Sequence, residues 1–196
     1  MVDAMQSGLD CDPLLMFVDR MTDLVETLGD DEPLLLEQGE QALRALIADD
    51  RWLPAACAQP HPLHYQQYLL YCDPLARFSV VSFVWGPGQS TPVHDHTVWG
   101  LIGMLRGAEI EQPWSEQDGC WVAGEERLLR PGDIGRVSPR IGDVHRVANA
   151  HDDQVSISIH VYGADIGQVR RHVINPLTGG RKDFVSGYGN ASAAGG

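Results

Sequence analysis

The sequence predicts a mainly β protein, an antiparallel sandwich or small barrel, preceded by a helical segment. Three observations carry this. From about Tyr65 the chain breaks into short runs rich in Val, Ile, Phe, Tyr and Trp. Turn-forming combinations separate those runs, at Gly86-Pro87-Gly88, Arg130-Pro131-Gly132-Asp133 and Thr178-Gly179-Gly180. The first third instead repeats apolar residues at three- and four-residue intervals, the period of a helix.

Taken in order, Leu14, Phe17, Met21, Leu24 and Leu28 predict a first helix between Pro13 and Gly29. Leu35, Ala42, Leu43, Leu46 and Ile47 predict a second. Between them, Asp30 and Asp31 supply an N-terminal cap and Pro33 a first-turn proline. The apolar faces of both helices are expected to pack as a cover on the main body. Strand-like runs follow at residues 78–85, 98–105, 133–137, 154–162 and 170–174. Residues 1–60 are thus read as the helical segment, 61–186 as the β body and 187–196 as a small, polar, flexible tail, in one structural domain overall. No internal repeat or linker is apparent.

A chain of 196 residues, 43% apolar, is long enough to bury one sizeable core. Its net charge of −13 argues against a nucleic-acid partner and against docking on anionic lipid. Cys11, Cys57, Cys72 and Cys120 are widely spaced and form no CxxC pair, so neither a zinc ribbon nor a disulfide framework is expected. The N-terminus lacks a basic region, and no run approaches the ~18 apolar residues of a membrane span. These features give the expectation of a reduced, cytoplasmic protein.

The segment Gly88-Gln-Ser-Thr-Pro-Val-His94-Asp-His96 carries the chemistry. Read as a strand, it points His94 and His96 the same way, because residues i and i+2 share a face. Two imidazoles aimed at one point suit a divalent metal, for which neutral histidine is the commonest ligand. A third lies in Gly142-Asp-Val-His145-Arg-Val-Ala-Asn149. Zinc, iron, manganese, nickel and copper all accept imidazole, so these ligands alone do not name the metal. Ser158-Ile159-His160-Val161-Tyr162 alternates polar and apolar residues, which places Ser158, His160 and Tyr162 on one face as a relay aimed at the metal.

The Gly-x5-His-x-His and Gly-x-x-His-x3-Asn arrangements resemble the two motifs of the cupin superfamily, which implies a jelly-roll barrel. Many cupins add a glutamate ligand four or five residues after the second histidine. Here Gly100 stands at that position, while Gly107 keeps the terminal glycine of the motif. The expected centre therefore has three neutral histidines, no carboxylate ligand and an uncompensated metal charge. Such a site favours an anionic substrate that can itself become a ligand. A non-catalytic metal-binding or sensory cupin, and a zinc or nickel cupin with lyase or isomerase chemistry, remain alternatives at this point.

The combination of motifs, from Tyr65 to Ile174, is more specifically similar to the thiol dioxygenases of the cysteine dioxygenase family. The resemblance implies that His94, His96 and His145 bind Fe(II) and that Ser158, His160 and Tyr162 form an outer-sphere triad. It implies a small thiol substrate, bound as thiolate, and O2, both of whose atoms end on sulfur as a sulfinate. Two departures are informative. The animal enzymes carry a cysteine that crosslinks to the active-site tyrosine, and that position here is Gly100. They also carry an arginine in a Tyr-x-Arg segment that binds the substrate carboxylate, whereas this chain has Tyr65-Gln66-Gln67. Gln67 marks the bacterial subgroup that resembles 3-mercaptopropionate dioxygenase, with L-cysteine the second candidate substrate. A glutamine cannot pair with a carboxylate as a charged fork. Arg171, alternating with Val169 and Val173, is the expected replacement, with Arg170 facing solvent. Trp99 is a candidate wall of the pocket, or equally a core residue.

Overall fold

The computed structural model describes residues 12–191. Helix α1 (Pro13–Leu28) starts at Asp12, whose carboxylate accepts from the Leu14 N–H at 2.9 Å. Helix α2 (Glu32–Leu46) starts at Asp31, which accepts from the Leu34 N–H at 3.2 Å, with Pro33 in the first turn. Both caps satisfy amide donors that have no partner inside the helix. The helices thus fall where the apolar period places them. Cys11 and residues 192–196 of the expected tail lie outside the described residues.

Eleven strands follow among the described residues. They are β1 (Gln66–Cys72), β2 (Ser79–Trp85), β3 (Gly100–Arg106), β4 (Glu109–Gln117), β5 (Cys120–Ala123) and β6 (Arg127–Leu129). After these come β7 (Ile134–Val137), β8 (His145–Asn149), β9 (Ser156–Tyr162), β10 (Arg171–Ile174) and β11 (Arg181–Phe184). One antiparallel sheet runs β1-β2-β9-β3-β7. Opposite it, β4 pairs with β6 on one side and β8 on the other, and β10 pairs with β11. The segment around His94 joins these last two pairs, bridging to His145 of β8 and to Val173 of β10. The architecture is the expected mainly β, antiparallel arrangement of jelly-roll type with N-terminal helices.

Strands β2 and β9 are buried along their whole length. Their alternation therefore feeds two cores, as in sheets covered on both faces. Val80, Val84, Ile157, Ile159 and Val161 face the helices, where Leu43 and Leu101 are fully buried. Val81, Phe83, Trp85 and Tyr162 face the barrel interior with Ile102, Val137 and Val147. The helices cover the outer face of the five-stranded sheet, and Gly103 lets Leu43 and Ile47 lie against it.

Two readings need correction. His94 and His96 do not lie in a regular strand. Pro92 interrupts the ladder, and Thr97 turns the chain away with a φ of 62°. His94 nonetheless exchanges backbone hydrogen bonds with His145 at 3.0 Å in both directions, so the local backbone is extended. The described part of the expected tail, from Gly187 to Ala191, is tied to the barrel. The Gly189 N–H donates to the Gln67 carbonyl at 2.7 Å, and the Asn190 side chain brackets the Leu69 backbone with two bonds of 2.9 Å. Polar composition reads as a loose tail, but those same groups pair with the free edge of β1.

Candidate metal centre

His94, His96 and His145 converge at one end of the barrel interior. Their rings lie 4.8–4.9 Å apart centre to centre. One nitrogen of each falls within 4.8 Å of the other two, and all three residues are buried. The Nδ1 atoms are already engaged. That of His94 faces the Pro92 carbonyl at 3.0 Å, that of His96 the Asp143 carboxylate at 3.1 Å, and that of His145 the Glu111 carboxylate at 3.0 Å. An acceptor at Nδ1 keeps the ring proton there and leaves Nε2 as the free lone pair, the usual orientation of a metal-binding histidine. Burial, then the neighbouring imidazoles, hold His94 and His96 neutral well below the ordinary histidine range. The donor set fits a divalent transition metal.

Sequence reasoning does not single out Glu111 and Asp143. Glu111 is buried in β4, and burial alone pushes its carboxyl up. The bond to His145 and the Arg127 guanidinium at 2.5 Å overcome that, and the net shift is downward. Asp143 also accepts the backbone N–H groups of His96 and Thr97, at 3.1 and 2.8 Å, and so fixes the turn that presents His96. Its own carboxyl is shifted upward by burial.

Ser158, His160 and Tyr162 line up on the interior face of β9. Ser158 Oγ lies 2.8 Å from His160 Nε2, and His160 Nδ1 lies 2.7 Å from the Tyr162 hydroxyl. Phe83 stacks on His160 at 3.9 Å, and Tyr162 stacks beside His96 at 5.3 Å. Burial holds His160 neutral and pushes the Tyr162 phenol far up, so it keeps its proton. Gly100 lies against that phenol. A Cβ on Gly100 would sit 2.8 Å from Tyr162 Cδ1 and 2.9 Å from Val137.

The remaining wall is Tyr65, Gln67, Phe83, Trp85, Arg171 and Phe184. Arg171 is buried, stacks 4.6 Å from the Phe184 ring and donates to Ser186 Oγ at 2.6 Å. Among the described residues its Nε has no partner, nor has Gln67 Oε1. Burial lowers the Arg171 pKa. Arg170 is exposed and reaches Asp183 at 3.4 Å. Trp99 is not part of the wall. It packs with the helix-side core, and Trp85 takes the aromatic position beside the site. The free space enclosed is about 10 Å³, roughly one water-sized sphere.

Residues 68–173, over half of the chain, match the family model for cysteine dioxygenase type I. The chain belongs to the cysteine dioxygenase type I family. The match contains the three histidines, the Ser158-His160-Tyr162 face and Arg171; Gln67 lies one residue before it. Cysteine dioxygenase type 1 of Bos taurus is 29% identical over 113 residues, covering 56% of this chain and 55% of that one. The Homo sapiens protein of the same name is 30% identical over 90 residues, 44% of each chain. The chain thus spans about half the length of the curated relatives it matches. A cupin-like protein of Thermotoga maritima is 19% identical, with a TM-score of 0.45 over 70% of this chain and 90% of that one.

Proposed function

We propose that this chain oxidises a small thiol carboxylate to its sulfinate with O2, using Fe(II) held by His94, His96 and His145. 3-Mercaptopropionate is the favoured substrate and L-cysteine the second. The observation that carries the reading is Arg171, buried in the wall of a three-imidazole cavity with no carboxylate among the described residues to pair with. A buried cation without a counter-ion is costly, and a substrate carboxylate supplies one.

Fe(II) at the three imidazoles would supply an open coordination sphere for the thiolate and the electrons that activate O2. The protein's own part follows from its groups. Arg171 anchors the carboxylate and so aims the sulfur at the histidine cluster. Gln67, a neutral amide with a free oxygen, adds orientation without a second charge, which supports the Gln-type subgroup. Tyr162 holds a hydroxyl over the same space, fixed by His160 and Ser158. Phe83, Trp85 and Tyr65 exclude bulk water. The tight cavity suits a short thiol and excludes a peptide. Even a three-carbon thiol requires the Gln67–Arg171–Phe184 wall to give way.

The deciding experiment is metal content together with thiol-dependent O2 uptake. Iron-loaded protein should consume O2 only with a thiol and form the sulfinate. His94→Ala, His96→Ala and His145→Ala should lose the iron. Iron-loaded protein that consumes no O2 with either thiol would leave a non-catalytic metal site. Activity that follows zinc or nickel without O2 would replace the oxidation by lyase or isomerase chemistry.

A further inference from the structure

Strand β4 points two carboxylates inward, two residues apart, and the barrel treats them differently. Glu111 has Arg127 and His145. Glu109 is fully buried, and neither of its oxygens has a hydrogen-bond partner among the described residues. The Ser158 hydroxyl and the Trp85 indole N–H are the polar groups near enough to act on its carboxyl, yet neither closes a bond to it. A carboxylate this buried, without a cation, is too costly to leave charged. Glu109 is therefore a neutral acid, with one O–H to donate. Trp85 can only donate, so the acceptor in reach is Ser158 Oγ.

A hydrogen bond from Glu109 to Ser158 would have consequences along β9. Ser158 Oγ already takes the Trp85 N–H at 3.3 Å. With Glu109 donating as well, both of its lone pairs are used, and its own proton must go to His160 Nε2. His160 then carries its proton on Nδ1 and donates to Tyr162, whose hydroxyl proton is left free to point into the histidine cavity. If Glu109 is ionised, Ser158 donates to Glu109 instead. His160 then donates through Nε2 to Ser158 and accepts at Nδ1 from Tyr162, whose proton turns away from the cavity.

We propose that Glu109 is a positioning residue of this site: as a neutral acid behind Ser158, it sets the direction of the Ser158–His160–Tyr162 hydrogen-bond chain. Burial raises its pKa to about 8, with Glu111 adding to the rise and Ser158 and Trp85 opposing it. The groups facing it are few. They are Glu111 on its own strand and Tyr162 of β9, while Arg127 of β6 and His145 of β8 are engaged by Glu111. Strand β2 offers no ionisable group. Arg106 of β3 and Arg136 of β7 turn outward to Asp50 and Glu40.

The kinetic arm of the test rests on the thiol-dioxygenase reading, and the spectroscopic arm does not. Iron-loaded wild type, Glu109→Gln and Glu109→Leu are compared from pH 6 to 10. In infrared difference spectra the wild type should lose a carboxylic-acid band near pH 8. The Tyr162 C–O band, assigned with Tyr162→Phe, should shift in step with it. Glu109→Gln, which keeps a neutral donor, should lack the acid band and hold the tyrosine band fixed across the range. In turnover, a group titrating near 8 makes kcat fall about tenfold between pH 7 and pH 9. That ratio should drop to about one in Glu109→Gln. Glu109→Leu, which fills the space but donates nothing, should be equally flat at a lower kcat. Wild type without the acid band, or a tyrosine band that shifts equally in Glu109→Gln, overturns the proposal. So does a pH 7 to 9 fall that persists in Glu109→Gln. Absence of thiol-dependent O2 uptake in the wild type overturns the functional reading, and the infrared bands still decide Glu109.

Discussion

Replacing Arg171 by glutamine removes the charge but keeps a polar side chain of nearly the right length in the cavity wall. In the proposed complex the guanidinium meets the substrate carboxylate in a dry setting. Each charge-assisted hydrogen bond there is worth about 1.5–3 kcal/mol. The Nε proton is unpartnered among the described residues, and Nη2 is the nitrogen committed to Ser186. One to two new bonds are therefore on offer. Losing a single one corresponds to about a 10- to 150-fold loss in kcat/KM. Most of it should fall on KM, because the carboxylate is remote from the sulfur. Arg170→Gln is the control, since Arg170 is exposed and its ion pair with Asp183 is a surface contact of about 0–1 kcal/mol. The assay is steady-state O2 uptake with 3-mercaptopropionate and L-cysteine on the three proteins, iron content matched. Arg171→Gln within about twofold of wild type, or an equal loss in Arg170→Gln, would refute the anchoring role. A higher wild-type kcat/KM for L-cysteine would refute the substrate order and leave the anchor standing.

Three further outcomes follow from other residues. Glu111→Gln removes the carboxylate behind His145, and chelator competition should show iron binding weakened about 10- to 100-fold; unchanged affinity would deny Glu111 any part in the site. Gly100→Ala puts a methyl 2.8 Å from the Tyr162 ring and should cost about 1–3 kcal/mol in urea unfolding, with a loss of kcat as the phenol is displaced. Asp73 is held at a pKa of about 2, chiefly by its hydrogen bonds from Arg77. A lowered carboxylate pKa means stability present above the unfolded value near 4 and lost as pH falls towards 2. Asp73→Asn should thus cost about 2 kcal/mol at pH 7 and flatten that acid-side decline, read from urea midpoints between pH 2 and 6.

How much of this is legible in the sequence depends on the range over which each signal acts. Helices α1 and α2 are legible because period, cap and first-turn proline all lie within one segment. Strands β2, β3, β7, β9 and β10 fall in apolar or alternating runs, and the three histidines and the β9 face follow from i, i+2 spacing and short motifs. Strand β4 is hidden. Glu109-Ile-Glu-Gln-Pro-Trp reads as a charged surface, and its two inward carboxylates make sense only once Arg127, His145 and Ser158 are brought against them from elsewhere in the chain. Strand β1 runs Gln66-Gln-Tyr-Leu-Leu-Tyr-Cys without alternation. Exposed β11, Arg181-Lys-Asp-Phe, has almost no apolar residues to mark it.

The same long-range contacts change the electrostatic reading of the centre. Three neutral ligands suggest a metal charge that the protein leaves uncompensated. The structure instead sets carboxylates one residue further out, behind His96 and His145. Their effect on an incoming anion is not that of two free negative charges. Glu111 is paired with Arg127 at 2.5 Å, so from the cavity the two largely cancel, while the hydrogen bond to Nδ1 still makes His145 a better donor. Burial shifts the Asp143 carboxyl upward, and its oxygens are spent on the His96 and Thr97 amides. On the substrate side stands Arg171, with no acid hydrogen-bonded to it among the described residues. The balance strengthens the ligands from behind without repelling a thiolate or carboxylate in front, so the preference for an anionic substrate survives the two acids that sequence reasoning does not reveal.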